Sequence, residues 1–403
     1  MNRTKIAVIG TFDSKGDCLR YLCEKIREYG MVPYSIDLGV NPPEQKADVR
    51  IASEYPYPLG FKKADCVAWN AKHARDYVLE LAGKDEIGGI ITIGGGQGTE
   101  LAREVFEALP IGFPKLMLST IANLEGSISQ FHGVKDTAVM NSIVDIAGLN
   151  EILKTELSVA AGAICGMVRH RRPIRSTRPI VGISCWGVVT PCVEMVRRKL
   201  EENGFEVLVF HANGFGGEML ETLIREGRIY AVADLALPEI TMPAAGSDHA
   251  EITGRLENAV KQGIPMIVAP GGADMVHVCK PQKMPEIFKG RKEYWHTKDV
   301  LFVRSTVEDS RKFAQILTKK LAAAGPYTKL LLPLKGTSME AVRGAPLYDP
   351  ESDAALFEGL HQGLDGKIPV IDVNRNINSD DFAWMAANEL LGLIEQYRKD
   401  KKE

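Results

Sequence analysis

The stretch IGGGQGTELA, from Ile93 to Ala102, places four glycines among five consecutive positions, between an apolar segment and a helical one. Residues 87–95 have the pattern of a buried β-strand, and residues 98–109 carry apolar residues at helical spacing. Glycine removes side-chain bulk and tolerates backbone angles that other residues avoid. Strand, glycine loop and helix in this order predict a parallel α/β sheet whose loop either turns tightly or lies against a ligand.

The same alternation of short strands and amphipathic helices recurs along most of the chain. In the first part, strands are predicted at 5–10, 32–39, 87–95 and 114–120, and helices at 15–30, 65–83 and 98–109. After residue 179 the alternation restarts, with later strands predicted at 229–237, 265–270, 299–305, 328–334 and 368–373. Since βαβ units build parallel sheets, we expect an α/β protein of two doubly wound, Rossmann-like domains that face each other across a cleft.

A basic segment interrupts this alternation. Residues 168–179, VRHRRPIRSTRP, contain six basic side chains and two prolines. Such a run can meet phosphate, but a solvated linker also explains it. We therefore expect a nucleotide-binding domain over 1–175 and a second domain, for substrate or a partner, over 176–403.

Composition narrows the class of protein. The 403 residues are 45% hydrophobic and 25% charged, with a net charge of -3, so no electrostatic argument favours nucleic acid or an anionic membrane. No apolar run approaches the length of a membrane span. The seven cysteines are an odd number without C-x-x-C spacing, which favours reduced thiols. The chain begins directly with a strand pattern and without a signal peptide, so we expect a cytoplasmic protein.

Two loops of the first domain suggest a phosphate site. GGGQGT and GTFDSKG (10–16) each follow an apolar strand and precede a helix, where free amides suit phosphate oxygens. Neither matches the G-x-G-x-x-G or Walker pattern. Asp13 is a candidate for Mg²⁺ or a ribose hydroxyl, and the alternatives are a tight turn and a helix cap beside a solvated Lys15. The candidate nucleotide-binding residues are Gly10, Thr11, Asp13, Ser14, Lys15, Gly94, Gly95, Gly96, Gly98, Thr99, Ser119 and Thr120.

Polar residues also gather after strands of the second domain. We predict that His211, Glu239 and His249 approach one another as catalytic residues, because a histidine near a carboxylate can transfer protons or bind a metal. The alternative is that each of these residues caps a helix or forms a hydrogen bond within its own turn. The sequence does not decide whether a metal binds in this domain. The candidate substrate-binding residues are Asn213, Gly214, Gly216, Gly217, Asp248, Arg255, Gly271 and Gly272.

Several of these motifs together resemble a known family. IGTFDSKG, ITIGGGQGT, LPIGFPKLMLST and VDIAGLN in the first half, and LVFHANGFGGEMLE, GIPMIVAPGGADMV, YDPESDAALFEGL and NRNINSDDFA in the second, are similar to the tomato mosaic virus resistance protein-like family. The resemblance spans nearly the whole chain in the same order. Two departures stand out: Ser14 replaces the usual Thr, and DLALPEIT (234–241) keeps only Asp234, Leu235 and Glu239 of the usual Asp-Leu-Thr-Thr-Thr-Glu run.

The resemblance implies two α/β domains with ATP bound in the first, and Mg²⁺ is a possible companion of the nucleotide. Three functions stay open. The first is an ATP-binding enzyme that acts on a small carboxylated metabolite at the cleft. The second is a nucleotide-regulated protein-binding module, as in the plant relative that inhibits viral RNA replication, and the third is a sugar- or acid-processing enzyme without nucleotide. We expect a homodimer or higher homo-oligomer, since closed symmetric assemblies are common among soluble enzymes.

Overall fold

The chain divides into two compact units, Met1–Arg175 and Ser176–Glu403. A computed structural model describes residues 5–43, 45–123, 135–172, 174, 176–247, 252, 254–279 and 284–401. Each unit is built around a six-stranded parallel sheet with helices packed against it. The predicted α/β class with two Rossmann-like sheets is confirmed.

The first unit has the strand order of a dinucleotide-binding fold. Its sheet runs β3-β2-β1-β4-β5-β6, and every neighbouring pair is parallel. The strands are β1 Lys5–Gly10, β2 Val32–Asp37, β3 Val49–Arg50, β4 Ile87–Gly94, β5 Lys115–Ser119 and β6 Ala138–Asn141. The helices are α1 Phe12–Glu28, α2 Ile51–Glu54, α3 Lys63–Gly83, α4 Gly96–Ala108 and α5 Glu151–His170. The order reverses between β1 and β4, and open α/β sheets bind ligands at that point.

Apolar spacing explains how this unit folds. β1 is buried at every residue after Lys5, as expected of a parallel strand covered on both faces. α1 and α5 cover one face of the sheet, and α3 and α4 cover the other. Asn150 begins α5 by accepting a hydrogen bond from the amide of Leu153 over 2.9 Å. Gly30, at φ +81°, follows α1 in a conformation that favours glycine.

The second unit has a different strand order, β8-β7-β9-β10-β14-β15, and is again parallel throughout. These strands are β7 Ile180–Cys185, β8 Glu206–His211, β9 Ala231–Asp234, β10 Met266–Val268, β14 Thr328–Pro333 and β15 Val370–Val373. The helices are α6 Thr190–Glu202, α7 Phe215–Arg225, α8 Pro238–Ala244, α9 Glu257–Gln262, α10 Val307–Leu321, α11 Pro350–Leu364 and α12 Asp380–Asp400. This is the flavodoxin-like order, and its reversal lies between β7 and β9.

One predicted strand belongs to a separate sheet. Residues 300–304 form β13 Val300–Arg304, which pairs antiparallel with β11 Met275–Cys279 and β12 Glu293–Thr297. A run of four apolar residues, from Val300 to Val303, fits either kind of sheet, so the strand predicted at 299–305 is present but lies outside the parallel sheet. Within the described residues, none of the helices is long and apolar enough to cross a membrane.

Candidate functional site

The loop between β1 and α1 lies at the strand reversal of the first sheet. Thr11 precedes α1, and its hydroxyl lies 2.9 Å from that of Ser14. The helix is kinked at Lys15, whose φ of -131° and ψ of 20° are not helical. The ammonium of Lys15 donates to the carbonyl of Ile146 over 2.9 Å. This contact holds the Lys15 side chain beside the loop.

A buried carboxylate connects this loop to the one that follows β2. Oδ1 of Asp37 accepts from the amides of Phe12, at 3.0 Å, and Gly39, at 2.7 Å. Burial raises the pKa of Asp37, against the lowering effect of the two amides and of Arg50. Asp13 lies beside Gly39, and its Oδ2 accepts from the amide of Asn41 over 3.1 Å. Asp37 was not predicted, although an acidic residue that ends an apolar strand was a usable signal.

The glycines at the start of α4 differ in whether the structure requires glycine at their positions. A Cβ on Gly94 would lie 2.9 Å from Cα of Gly98, so the packing of this turn demands glycine there. At Gly96 the backbone is helical, and apart from its own helix no described heavy atom lies within 4 Å of a Cβ position. A Cβ on Gly95 would meet only the Thr120 hydroxyl, at 3.4 Å. Neither packing nor backbone conformation therefore requires glycine at position 96.

A cavity of about 400 Å³ joins the two loops. Seven of the predicted nucleotide-binding residues line it: Thr11, Asp13, Ser14, Lys15, Gly95, Gly96 and Gly98. Asn41, Lys63 and Gln97 line it too and were not predicted. The first turn of α4 carries no acidic residue. The amides of this turn and two lysines lie around one concave space. This arrangement suits an anion.

Among the other predicted residues of this set, Gly10, Thr99 and Ser119 are buried and Thr120 is half-buried. The Thr99 and Ser119 hydroxyls are 2.8 Å apart and buried, and the Ser119 hydroxyl also accepts from the amide of Ile121 over 3.3 Å. Gly10 is buried, and a Cβ there would press against Leu19. Thr120 donates its amide to the carbonyl of Gly94. These residues shape the loops from beneath, and their contact with a nucleotide stays a prediction.

In the second unit, two of the predicted site residues, Glu239 and Arg255, belong to a buried charge network. Arg255 has no exposed surface, and its guanidinium donates to Asp234 over 2.6 and 2.8 Å. It also donates to Oε2 of Glu239, at 2.8 Å, and to Glu221, at 3.3 Å. Burial raises the pKa of Glu221 and of Glu239, against the lowering effect of Arg255. Arg255 thus lies in the interior with three internal partners, and its contact with a substrate stays a prediction.

Glu239 also fixes the glycine loop before α7. Its Oε1 accepts from the amides of Gly214, at 2.6 Å, and Gly217, at 3.0 Å. A Cβ on Gly217 would overlap this carboxylate, one on Gly216 would overlap the carbonyl of His211, and Gly214 has φ +102°. The amides of Gly214 and Gly217, two of the candidate substrate-binding residues, thus donate to a carboxylate of the chain itself.

Four of the remaining predicted residues lie within the described part of the second unit. His211 is exposed at the end of the edge strand β8, and Asn213 accepts weakly from the amide of Gly216, at 3.4 Å. Packing and φ account for the other loop, where a Cβ on Gly271 would overlap the carbonyl of Leu235 and Gly272 has φ +72°. Asp248 and His249 lie outside the described residues. The three-residue catalytic set therefore stays a prediction.

Fold and site together define an α/β protein of two doubly wound units, with an anion-suited cavity at the strand reversal of the first. Comparison with protein families places it more closely. Residues 4–173 match the N-terminal domain, and residues 178–394 the C-terminal domain, of the family described as "Uncharacterised protein family (UPF0261)". The chain belongs to this family.

Two relatives show the range of the family. A UPF0261 protein of Clostridium tetani is 36% identical, over 98% of this chain and 100% of the relative. The ToMV resistance protein Tm-1(GCR237) of Solanum lycopersicum is 31% identical over 98% of this chain. The chain spans 57% of that tomato protein. The predicted resemblance to the virus resistance protein-like family is confirmed.

Solved structures resemble the chain only distantly. Acinetobacter baumannii MurG is 9% identical with a TM-score of 0.26, over 98% of this chain and 99% of MurG. Neisseria meningitidis UDP-GlcNAc 2-epimerase is also 9% identical, with a TM-score of 0.25, over 66% of this chain and 82% of the epimerase. Similarity this low carries no argument about ligands.

Proposed function

We propose that the first unit binds the phosphates of a nucleotide in the cavity between the β1–α1 and β4–α4 loops. Gly96 carries the proposal, because neither its packing nor its backbone conformation requires glycine, yet it lies on the cavity at the start of a helix. A residue without a side chain lets phosphate oxygens reach the amides. Lys15 and Lys63 add positive charge on the same cavity.

ATP is the nucleotide that we put forward, following the family resemblance. Mg²⁺ would accompany it, with Asp13 as the carboxylate on the cavity. Magnesium with a nucleotide needs only one or two carboxylates, because phosphates and waters complete its shell.

A thermal unfolding experiment tests this proposal. A ligand that binds only the folded state at 100 times its Kd stabilises it by about 2.7 kcal/mol. For a unit of this size, that raises the melting temperature by roughly 5–10 °C. We expect this shift with ATP and Mg²⁺ and none with adenosine alone. Equal melting temperatures with and without ATP would refute the proposed site.

We further propose that the nucleotide serves an enzyme that acts on a small carboxylated metabolite. The support is the second parallel sheet, since such sheets take ligands at their strand reversal, here between β7 and β9. A protein-binding module without turnover is the alternative, favoured by the similarity to the tomato resistance protein. Faster ATP hydrolysis when a metabolite extract is added supports the enzyme, and ATP binding without turnover supports the module.

A further inference from the structure

A groove between α3 and α4 continues from the phosphate cavity. Its volume is about 610 Å³. The groove and the cavity share Lys63, Val67, Gln97 and Leu101 as lining residues. A ligand held by its phosphates at the start of α4 could therefore extend into the groove without leaving the protein surface.

The groove has an apolar floor and a rim of acceptors. Its apolar lining residues are Ala64, Val67, Ala68, Ala71 and Leu101. On the rim, Glu104 is paired with Arg75 at 3.0 Å, whereas Glu100 has no hydrogen-bond partner within the described part of the chain. A concave, mostly apolar surface with a few placed polar groups is typical of a small-molecule site. A free carboxylate at its edge accepts hydrogen bonds from amino groups.

A smaller pocket also lies against the β1–α1 loop. It has a volume of about 200 Å³ and lies against Asp13, Ser14, Lys15 and Gly16. Gln45 and Asp17 close it with a 2.8 Å hydrogen bond between their side chains. Its lining is mainly polar, so it offers little to the faces of an aromatic base. The α3/α4 groove fits a base better.

We infer that the α3/α4 groove receives the base of the bound nucleotide and that Glu100 accepts a hydrogen bond from the amino group of that base. The inference rests on the proposed phosphate site. Along α4, Glu100 lies about 6 Å beyond Gly96, since each residue of a helix rises about 1.5 Å. Phosphates at Gly96 and a base near Glu100 thus follow one face of α4. The ligand class is a nucleotide whose base carries an exocyclic amino group.

Calorimetric titration of the full chain with three ligands tests this assignment. The ligands are ATP, purine riboside triphosphate, which is ATP without its amino group, and inorganic tripolyphosphate. We expect ATP to bind more tightly than either. The double variant Ala64→Leu/Ala68→Leu fills the groove and should weaken ATP about tenfold, toward the affinity of tripolyphosphate. Lys72→Leu is the control, an exposed change on the same helix that does not line the groove.

Glu100→Ala tests the amino-group contact separately, and this exposed change keeps the test decisive if the double variant fails to fold. We expect it to reduce the preference for ATP over purine riboside triphosphate. If ATP and tripolyphosphate bind equally well to the unaltered chain, the groove does not hold the base, although the phosphate site stands. If neither ligand binds, the proposed function fails as well. An ATP affinity unchanged by the double variant would also overturn the inference.

Discussion

The guanidinium of Arg255 and the carboxylate of Glu239 form a 2.8 Å ion pair in the interior of the second unit, and Glu239 in turn holds the amides of Gly214 and Gly217. Three carboxylates surround this single cation. Breaking a buried pair from one side leaves charges that water cannot reach. The pair therefore connects the stability of the unit to the position of the β8–α7 loop.

Replacing Arg255 should be costly. We expect Arg255→Met to lower the free energy of unfolding by about 3–5 kcal/mol, because Asp234, Glu221 and Glu239 lose their common partner. Chemical denaturation measures the change. Arg197→Met is the control, since that arginine pairs with Glu194 and Glu201 at the surface and its loss should cost far less. Similar costs for the two variants would contradict the network.

The glycines of the β4–α4 loop should respond differently to alanine. Gly94→Ala places a Cβ against the backbone of Gly98, so we expect a less stable protein. Gly96→Ala meets open space in a helical conformation, and such a change stabilises by about 0.4–1 kcal/mol. Thermal unfolding without ligand compares the two. A Gly96→Ala variant as unstable as Gly94→Ala would show that folding itself requires this glycine.

Asp353 should make stability depend on pH. Burial raises its pKa to about 6, against the lowering effect of Arg304, whose guanidinium lies 2.5 Å away. Between about pH 4 and 6, Asp353 holds a proton in the folded protein and releases it in the unfolded chain. The contribution of Asp353 to the free energy of unfolding therefore falls as the pH rises and levels off above about pH 6. The stability of the unaltered chain relative to Asp353→Asn should fall by at most about 3 kcal/mol from pH 4 to 7. Urea denaturation at both pH values measures it, and a rise would contradict the raised pKa.

The oligomeric state stays a prediction from the sequence. The chain has a mass of 44.2 kDa, and we expect a homodimer or larger homo-oligomer. Light scattering at micromolar concentration should therefore give at least twice that mass. A monomer mass throughout the concentration range would contradict this expectation.

The sequence predicted the parallel sheets because fully buried strands are nearly continuous apolar runs, as in KIAVIG. It did not separate β13 from those sheets, because a run of four apolar residues fits either pairing. The buried charge network of the second unit was also beyond prediction, because it depends on which side chains pair with one another. Arg255 joins Asp234, Glu239 and Glu221, which lie 16 to 34 residues away along the chain, and no local pattern marks this meeting.

The two glycine loops also show that sequence does not reveal which atoms will surround a residue in the folded protein. GFGG and GGGQG are similar as sequences, yet Gly216 and Gly217 are required by contacts inside the protein whereas Gly96 is not. Only neighbouring atoms distinguish a glycine needed for packing from one that leaves room for a ligand. The sequence therefore located both loops but could not show which of them leaves room for a ligand.

Calorimetric titration with ATP and Mg²⁺ tests the central claim most directly, using the unaltered chain, Gly96→Val and Gly83→Val. Gly83 ends α3 away from the cavity and, like Gly96, has no described heavy atom within 4 Å of a Cβ position apart from its own helix, so it is the matched control. We expect the unaltered chain and Gly83→Val to bind ATP, and we expect Gly96→Val, folded by circular dichroism, not to bind it. Equal ATP affinity in a folded Gly96→Val variant would contradict the claim.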